Sequence, residues 1–190
     1  MTPRGVAAFA RATSGRLFAV QFLVALLVAA TVVWFLQDAW FPIVRQAIAR
    51  LPDQGEIRAG QLDWRGDSPR LLAEGNFLAF SVDLARSGEI RSPAHVQVEL
   101  GKAVFSVHSL LGYLEVKYPA TWRVAFNREE LAPWWGAWQP PLLGLAAVGV
   151  VTGLMITWFG LATLYALPVW ALGVFANRDL KFREGWPVRR

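Results

Sequence analysis

The side chains able to do chemistry in this 190-residue chain are few and scattered. His95 and His108 are its only histidines. Each sits in an alternating strand pattern, and two histidines so far apart describe a solvated sheet face better than a metal site. Asp63, Asp67, Glu74 and Asp83 are the candidates for a carboxylate pair, in which one group gives a proton and the other takes one. Arg65, Arg70 and Arg86 are interspersed among them, and that mixture predicts surface ion pairs on separate strands and turns. Arg65-Gly66-Asp67 has the form of an adhesion tripeptide, but its residue types are those of a turn. With no cysteine, neither a disulfide framework nor a thiolate site or nucleophile can form. No phosphate loop, nucleophile elbow or dinucleotide fingerprint is present. The expectation is a protein that is not an enzyme, with no cofactor and no metal.

What the sequence has in abundance is apolar and aromatic. Hydrophobic residues make up 55% and charged residues 17%, against roughly 45–50% and about 25% in soluble domains. Mean hydropathy is +0.35. Residues 17–37 carry no charge, and about 20 apolar residues suffice to cross the hydrocarbon. Arg4, Arg11 and Arg16 precede this run as in a signal leader. The run exceeds the roughly 7–15 residues of a signal core, however, and the bulky "WFLQDAWFP" follows where a small-residue cleavage site would stand. It reads as an uncleaved anchor.

A second uncharged run lies between Glu130 and Arg178. Trp138 and Trp158 within it are spaced by about 30 Å of helix, the thickness of one crossing. Residues 161–176 then either continue at a tilt, bend at Pro168, or cross again. Charge decides for two crossings. The N-terminal tail 1–16 has Arg4, Arg11 and Arg16 and no acid, and the C-terminal tail 177–190 has Arg178, Lys181, Arg183, Arg189 and Arg190 against Asp179 and Glu184. Basic residues near span ends stay cytoplasmic, so both termini are expected inside. Trp34 and Trp40 then close the first span at the same outer interface where Trp134, Trp135 and Trp138 open the second, with Trp158 at the inner one. An aromatic belt accounts for that arrangement; a carbohydrate-stacking platform is the rival account.

Between the spans the pattern predicts a small domain. Residues 38–55 read as a juxtamembrane amphipathic helix, with Pro42 in its first turn and Ile43, Ala47 and Leu51 on one face. Over 56–127 the period changes to two, as in Leu78-x-Phe80-x-Val82 and Leu114-x-Val116-x-Tyr118. Five or six antiparallel strands in a small sheet or sandwich are expected. Asn127 with Glu130 offers a capping box for a helix leading into a Trp- and Pro-rich re-entry over 128–140, and 141–176 forms the second transmembrane helix.

The expected architecture is an α+β membrane protein: two transmembrane helices flanking a small antiparallel β-rich domain outside the cytoplasmic (inner) membrane. Gly149, Gly153 and Thr157 form a small-residue ridge on the second span, with Ala25 and Ala29 a weaker counterpart on the first, where another helix can approach closely. The implied partners are the lipid bilayer and a protein partner or second copy through the membrane helices. Nucleic acid is not expected, since net positive charge is confined to two short tails. The functional expectation is assembly, tethering or sensing through partner contacts. Two alternatives remain: an envelope hydrolase or transferase using the carboxylates of Asp63–Asp83 with the Trp cluster as platform, and a subunit of a transport complex. The last is weakened by the lack of a mid-span ionisable residue.

Overall fold

The computed structural model describes residues 14–175 of an α+β chain with two apolar helices and two small sheets. Arg4, Arg11, Arg178, Lys181 and Arg183 lie outside the described residues; Arg16 is exposed near the start of the first helix. Two compact units divide the chain, Val33–Gly144 being one and the segments before and after it the other.

The flanking unit contains most of helix α1 (Ser14–Phe35) and of the last helix, which runs unbroken over Arg128–Phe175. Both are long and apolar enough to cross a membrane. The last helix begins on Asn127, whose side-chain oxygen accepts the Glu130 N–H at 2.9 Å. It then passes through Pro133, Pro140, Pro141 and Pro168. The segment read as a re-entry is thus the first turns of this helix, and 161–175 continues it.

In the central unit a single π-helical turn (Leu36–Trp40) links α1 directly to α2 (Phe41–Ala49). Its cause is local. Pro42 has no N–H and its ring would collide with the carbonyl four residues back. The wider turn, closed by Phe41 N–H on the Leu36 carbonyl, accommodates it. Ile43 and Ala47 on α2, and Leu51 just beyond it, are buried as the four-residue spacing requires.

Eight strands follow in two sheets. The smaller has the order β2-β1-β8, from β1 (Gly55–Arg58), β2 (Gln61–Trp64) and β8 (Arg123–Ala125). The larger is β3 (Arg70–Glu74), β4 (Leu78–Val82), β5 (Val96–Leu100), β6 (Val104–Ser109) and β7 (Gly112–Lys117), in sequence order. All its neighbours are antiparallel except β4 and β5, which are parallel. A parallel pair needs a long crossover, and residues 83–95 supply it. The expectation of five or six antiparallel strands in a small sheet or sandwich is corrected in number, to eight, and in direction, by the one parallel pair.

One face of the larger sheet is apolar. Leu72, Ala73, Leu78, Val82 and Leu100 meet α2 and the side chains of Ile57, Leu62, Trp64 and Tyr118 in one core. The other face is covered by the crossover itself. Gln97 donates to the Ser81 hydroxyl at 3.0 Å and to the Ile90 carbonyl at 3.1 Å, and accepts the Ser92 N–H at 3.1 Å. Polar alternates of β4 are therefore buried under a second layer.

Candidate functional site

The carboxylates come first because an enzymatic reading needs them together. Asp83 is 1% exposed, not a surface ion pair. Its carboxylate accepts the Ser87 hydroxyl at 3.0 Å and the Gly88 N–H at 2.9 Å. Burial pushes its pKa up, but the N–H groups of Gly88, Ser87 and Arg86 and the Ser87 hydroxyl outweigh that and hold it below the ordinary Asp value. Glu74 accepts the Ser92 hydroxyl at 2.6 Å. Asp67 lies in the loop after β2, where its carbonyl accepts the Trp64 indole N–H. Asp63 lies on the smaller sheet with Arg65 at 3.5 Å. The four carboxylates are dispersed over two sheets and their loops, and of the four only Asp63 lines the groove beside the smaller sheet.

Asp63 has a different neighbour, Glu56, directly across the β1–β2 ladder. The two line an open groove of about 400 Å³ with Asp53, Arg65, Arg123 and Asn127. Their cations stand close by, Arg128 reaching Asp53 at 3.1 Å. Exposed pairs of this kind contribute about 0–1 kcal/mol each. The signal for Glu56 was a tight turn at Ala59-Gly60, both at positive φ, which folds Glu56 back onto Asp63.

His95 stacks on Phe77 with centroids 5.3 Å apart, and its Nδ1 lies 2.9 Å from the Asn76 carbonyl. His108 is 3.8 Å from Glu99. Both are exposed, and among the described residues no three His, Asp or Glu side chains converge on a metal position. On the outermost strand, Glu115 accepts from the Tyr113 hydroxyl at 2.5 Å and pairs with Arg86 at 2.7 Å. Those two contacts lower its pKa in that order of weight.

The aromatic residues are brought together more than the titratable ones. Phe41 meets Trp135 edge-on at 5.0 Å, so the segment leaving α1 touches the start of the last helix. Trp134 and Trp138 lie 6.1 Å apart, and both, like Trp34, are exposed. Trp40 and Trp135 are half-buried, with indole N–H groups that meet no acceptor. Trp40 packs against the core of the central unit and Trp135 against Phe41, whereas Trp34, Trp134 and Trp138 are exposed. Trp158 is half-buried in the flanking unit.

Within that flanking unit the small residues divide. Ala25 and Ala29 are buried, on a stripe of α1 that includes half-buried Leu17 and Gln21. On the last helix the half-buried stripe is Ala147, Val150, Val151, Leu154 and Trp158. Gly149, Gly153 and Thr157 lie off that stripe and are exposed. A Cβ added at Gly149 or Gly153 would meet nothing within 4 Å among the described residues, and the Thr157 hydroxyl turns back to the Gly153 carbonyl at 2.8 Å. The Ala pair is a shielded contact; the glycine ridge is open.

Compared with protein-family models, with curated proteins and with solved structures, the chain matches none.

Proposed function

We propose that this chain is an integral membrane protein of two crossings, which holds the central unit outside the cytoplasmic membrane and acts through partner contacts in assembly, tethering or sensing. The observation that carries the reading is the join between Phe41 and Trp135. The folded unit is continuous at both ends with apolar helices, and this contact ties the chain's entry to its exit. Such a unit is anchored twice at one base. Exposed Trp34, Trp134 and Trp138 cluster in sequence around that base, where the amphipathic indole favours the membrane–water boundary. Arginine-rich tails keep both termini in the cytoplasm. The open ridge of Gly149, Gly153 and Thr157 is the surface on which another membrane helix, from a partner or a second copy, would pack. No catalytic step is assigned, because the carboxylates that one would need are dispersed.

Topology reporters test this. Alkaline phosphatase fused after Arg86 is expected to be active and a fluorescent protein fused after Arg190 to fluoresce. Inactive phosphatase at Arg86, with fluorescence at the same position, would overturn the proposal.

A further inference from the structure

The two ends of the larger sheet differ in chemistry. Register aligns Leu78, Val96, Ser109 and Gly112 in one row across β4 to β7. The turns just beyond this row, residues 75–77, 93–95 and 109–112, therefore share one end of the sheet, and they contain no Asp, Glu, Lys or Arg. Glu74 of β3 stands one row inside this end, opposite Ala79, whereas Arg70, Asp83, Arg86, Lys102 and Lys117 stand at the opposite end.

Leu110 and Leu111 form the β6–β7 turn at the uncharged end and are 84% and 101% exposed. Two-residue hairpin turns ordinarily take Gly, Asn or Asp, whose backbone freedom and polarity suit a solvated tip. Two fully exposed leucines here serve neither the turn nor the core. Leu114, on the neighbouring strand face, extends the apolar surface at 60% exposure.

What covers this tip follows from where the same row leads. Phe77, at the β4 end of the row, lies edge-on to Phe35 with ring centroids 5.0 Å apart. Phe35 is the last residue of α1 and belongs to the uncharged run 17–37. Ile43, near the start of α2, also reaches this end, against Gly75. From β4 to β7 is three strand spacings, about 14 Å. The leucine turn is thus carried sideways from Phe77 at the level where the chain leaves its apolar helix.

We infer that the Leu110-Leu111 turn, with Leu114, dips into the interfacial layer of the bilayer that α1 enters, as a third membrane contact beside the two helices. An apolar wedge at this depth buries its side chains among headgroups and upper acyl chains, and it fixes the tilt of the sheet on its two anchors. The inference rests on the membrane reading above and adds to it a side of the sheet that faces lipid.

The chain has no native cysteine, so single-cysteine spin labels report without background. Leu111→Cys, Lys102→Cys and Leu27→Cys are labelled in the full-length protein, in nanodiscs of phosphatidylcholine and phosphatidylglycerol. The ratio of oxygen to water-soluble nickel-chelate accessibility is then read at each site. The expected result is a ratio at Leu111 several-fold above that at Lys102 and approaching that at exposed Leu27 of α1. A lipid value at Leu27 with an aqueous value at Leu111 overturns the inference and leaves the membrane reading standing. Shielding of Leu111 from both reagents overturns it in favour of a protein contact. An aqueous value at Leu27 removes the membrane reading and the inference with it. Leu111 is fully exposed, so its replacement leaves the core intact.

Discussion

Docking of α2 on the larger sheet holds the segment that follows α1 against the core of the central unit, and a double substitution tests that contact. A Cβ at Gly75 would lie 2.8 Å from Ile43 Cδ1 and 2.9 Å from Ile43 Cγ1, well inside the roughly 3.5–4.0 Å at which carbon atoms rest. Gly75 does not have positive φ. Alanine is therefore conformationally allowed there and should even gain about 0.4–1 kcal/mol from a less flexible unfolded chain. Against this stands overpacking of about 1–3 kcal/mol. The net expectation for Gly75→Ala is destabilisation of about 1–2 kcal/mol. Ile43→Ala alone should cost about 2–4 kcal/mol by leaving a cavity in the core. In that background the colliding atoms are gone, so adding Gly75→Ala should be neutral or mildly stabilising. The two changes are thus expected to couple by about 1–2 kcal/mol. Urea unfolding of the full-length protein in detergent, followed by near-ultraviolet circular dichroism, measures all four corners of the cycle. Additive effects, or a Gly75→Ala variant as stable as the parent, would refute the docking of α2 described here.

Three further outcomes are expected. Asp83 is held below its ordinary pKa in the folded state, so acid protonates the unfolded chain first. Its contribution is full above about pH 4 and is lost as pH falls through the folded value. Asp83→Asn should cost about 1–3 kcal/mol at neutral pH and flatten the acid limb of a stability-versus-pH curve. Replacing Asn127 with Ala should remove about 1 kcal/mol by uncapping the last helix, read as a lower urea midpoint. Ala29→Phe should destabilise by about 1–3 kcal/mol through overpacking of a shielded stripe, whereas Gly153→Leu should leave unfolding of the single chain unchanged. A reversed order in sodium dodecyl sulfate titrations would contradict the division between the two small-residue faces.

How far the sequence could be read depended on how many layers cover each element. The face of Ile43, Ala47 and Leu51 was legible because α2 has one buried side, and one side is all that a helical period records. Alternation in β4 located the strand but misjudged Ser81 and Asp83. A period of two assigns polar positions to water, and it cannot register a crossover that folds back over them with its own hydrogen bonds. The short strands β1 and β2 offer too few residues for any period to emerge. Spacing of Gly149, Gly153 and Thr157 identified a face that permits close approach without saying what approaches. In the structure it is the less conspicuous Ala25 and Ala29 that are covered.

The leucine turn shows the same limit from the other side. "SLLGY" reads as a turn from its Ser and Gly, and the turn is there, with the Ser109 hydroxyl accepting the Leu111 N–H at 3.3 Å. The two leucines became informative only when register placed them on the uncharged end of the sheet. That end is also where Phe77 meets Phe35. The proposed orientation of the chain follows from the charge on its tails by one physical rule, the retention of basic residues in the cytoplasm. Polarity along the strands orients the sheet by another, the burial of apolar surface. The first concerns residues 1–16 and 177–190, the second residues 75–77 and 109–114, and no residue enters both. On the proposed reading the first rule sets the side of the membrane on which the sheet lies, and the second turns its uncharged end towards the bilayer and the end bearing Arg70, Asp83, Arg86, Lys102 and Lys117 towards water. If the proposed topology holds, a partner outside would meet that charged end first, and a partner within the membrane would meet the open glycine ridge.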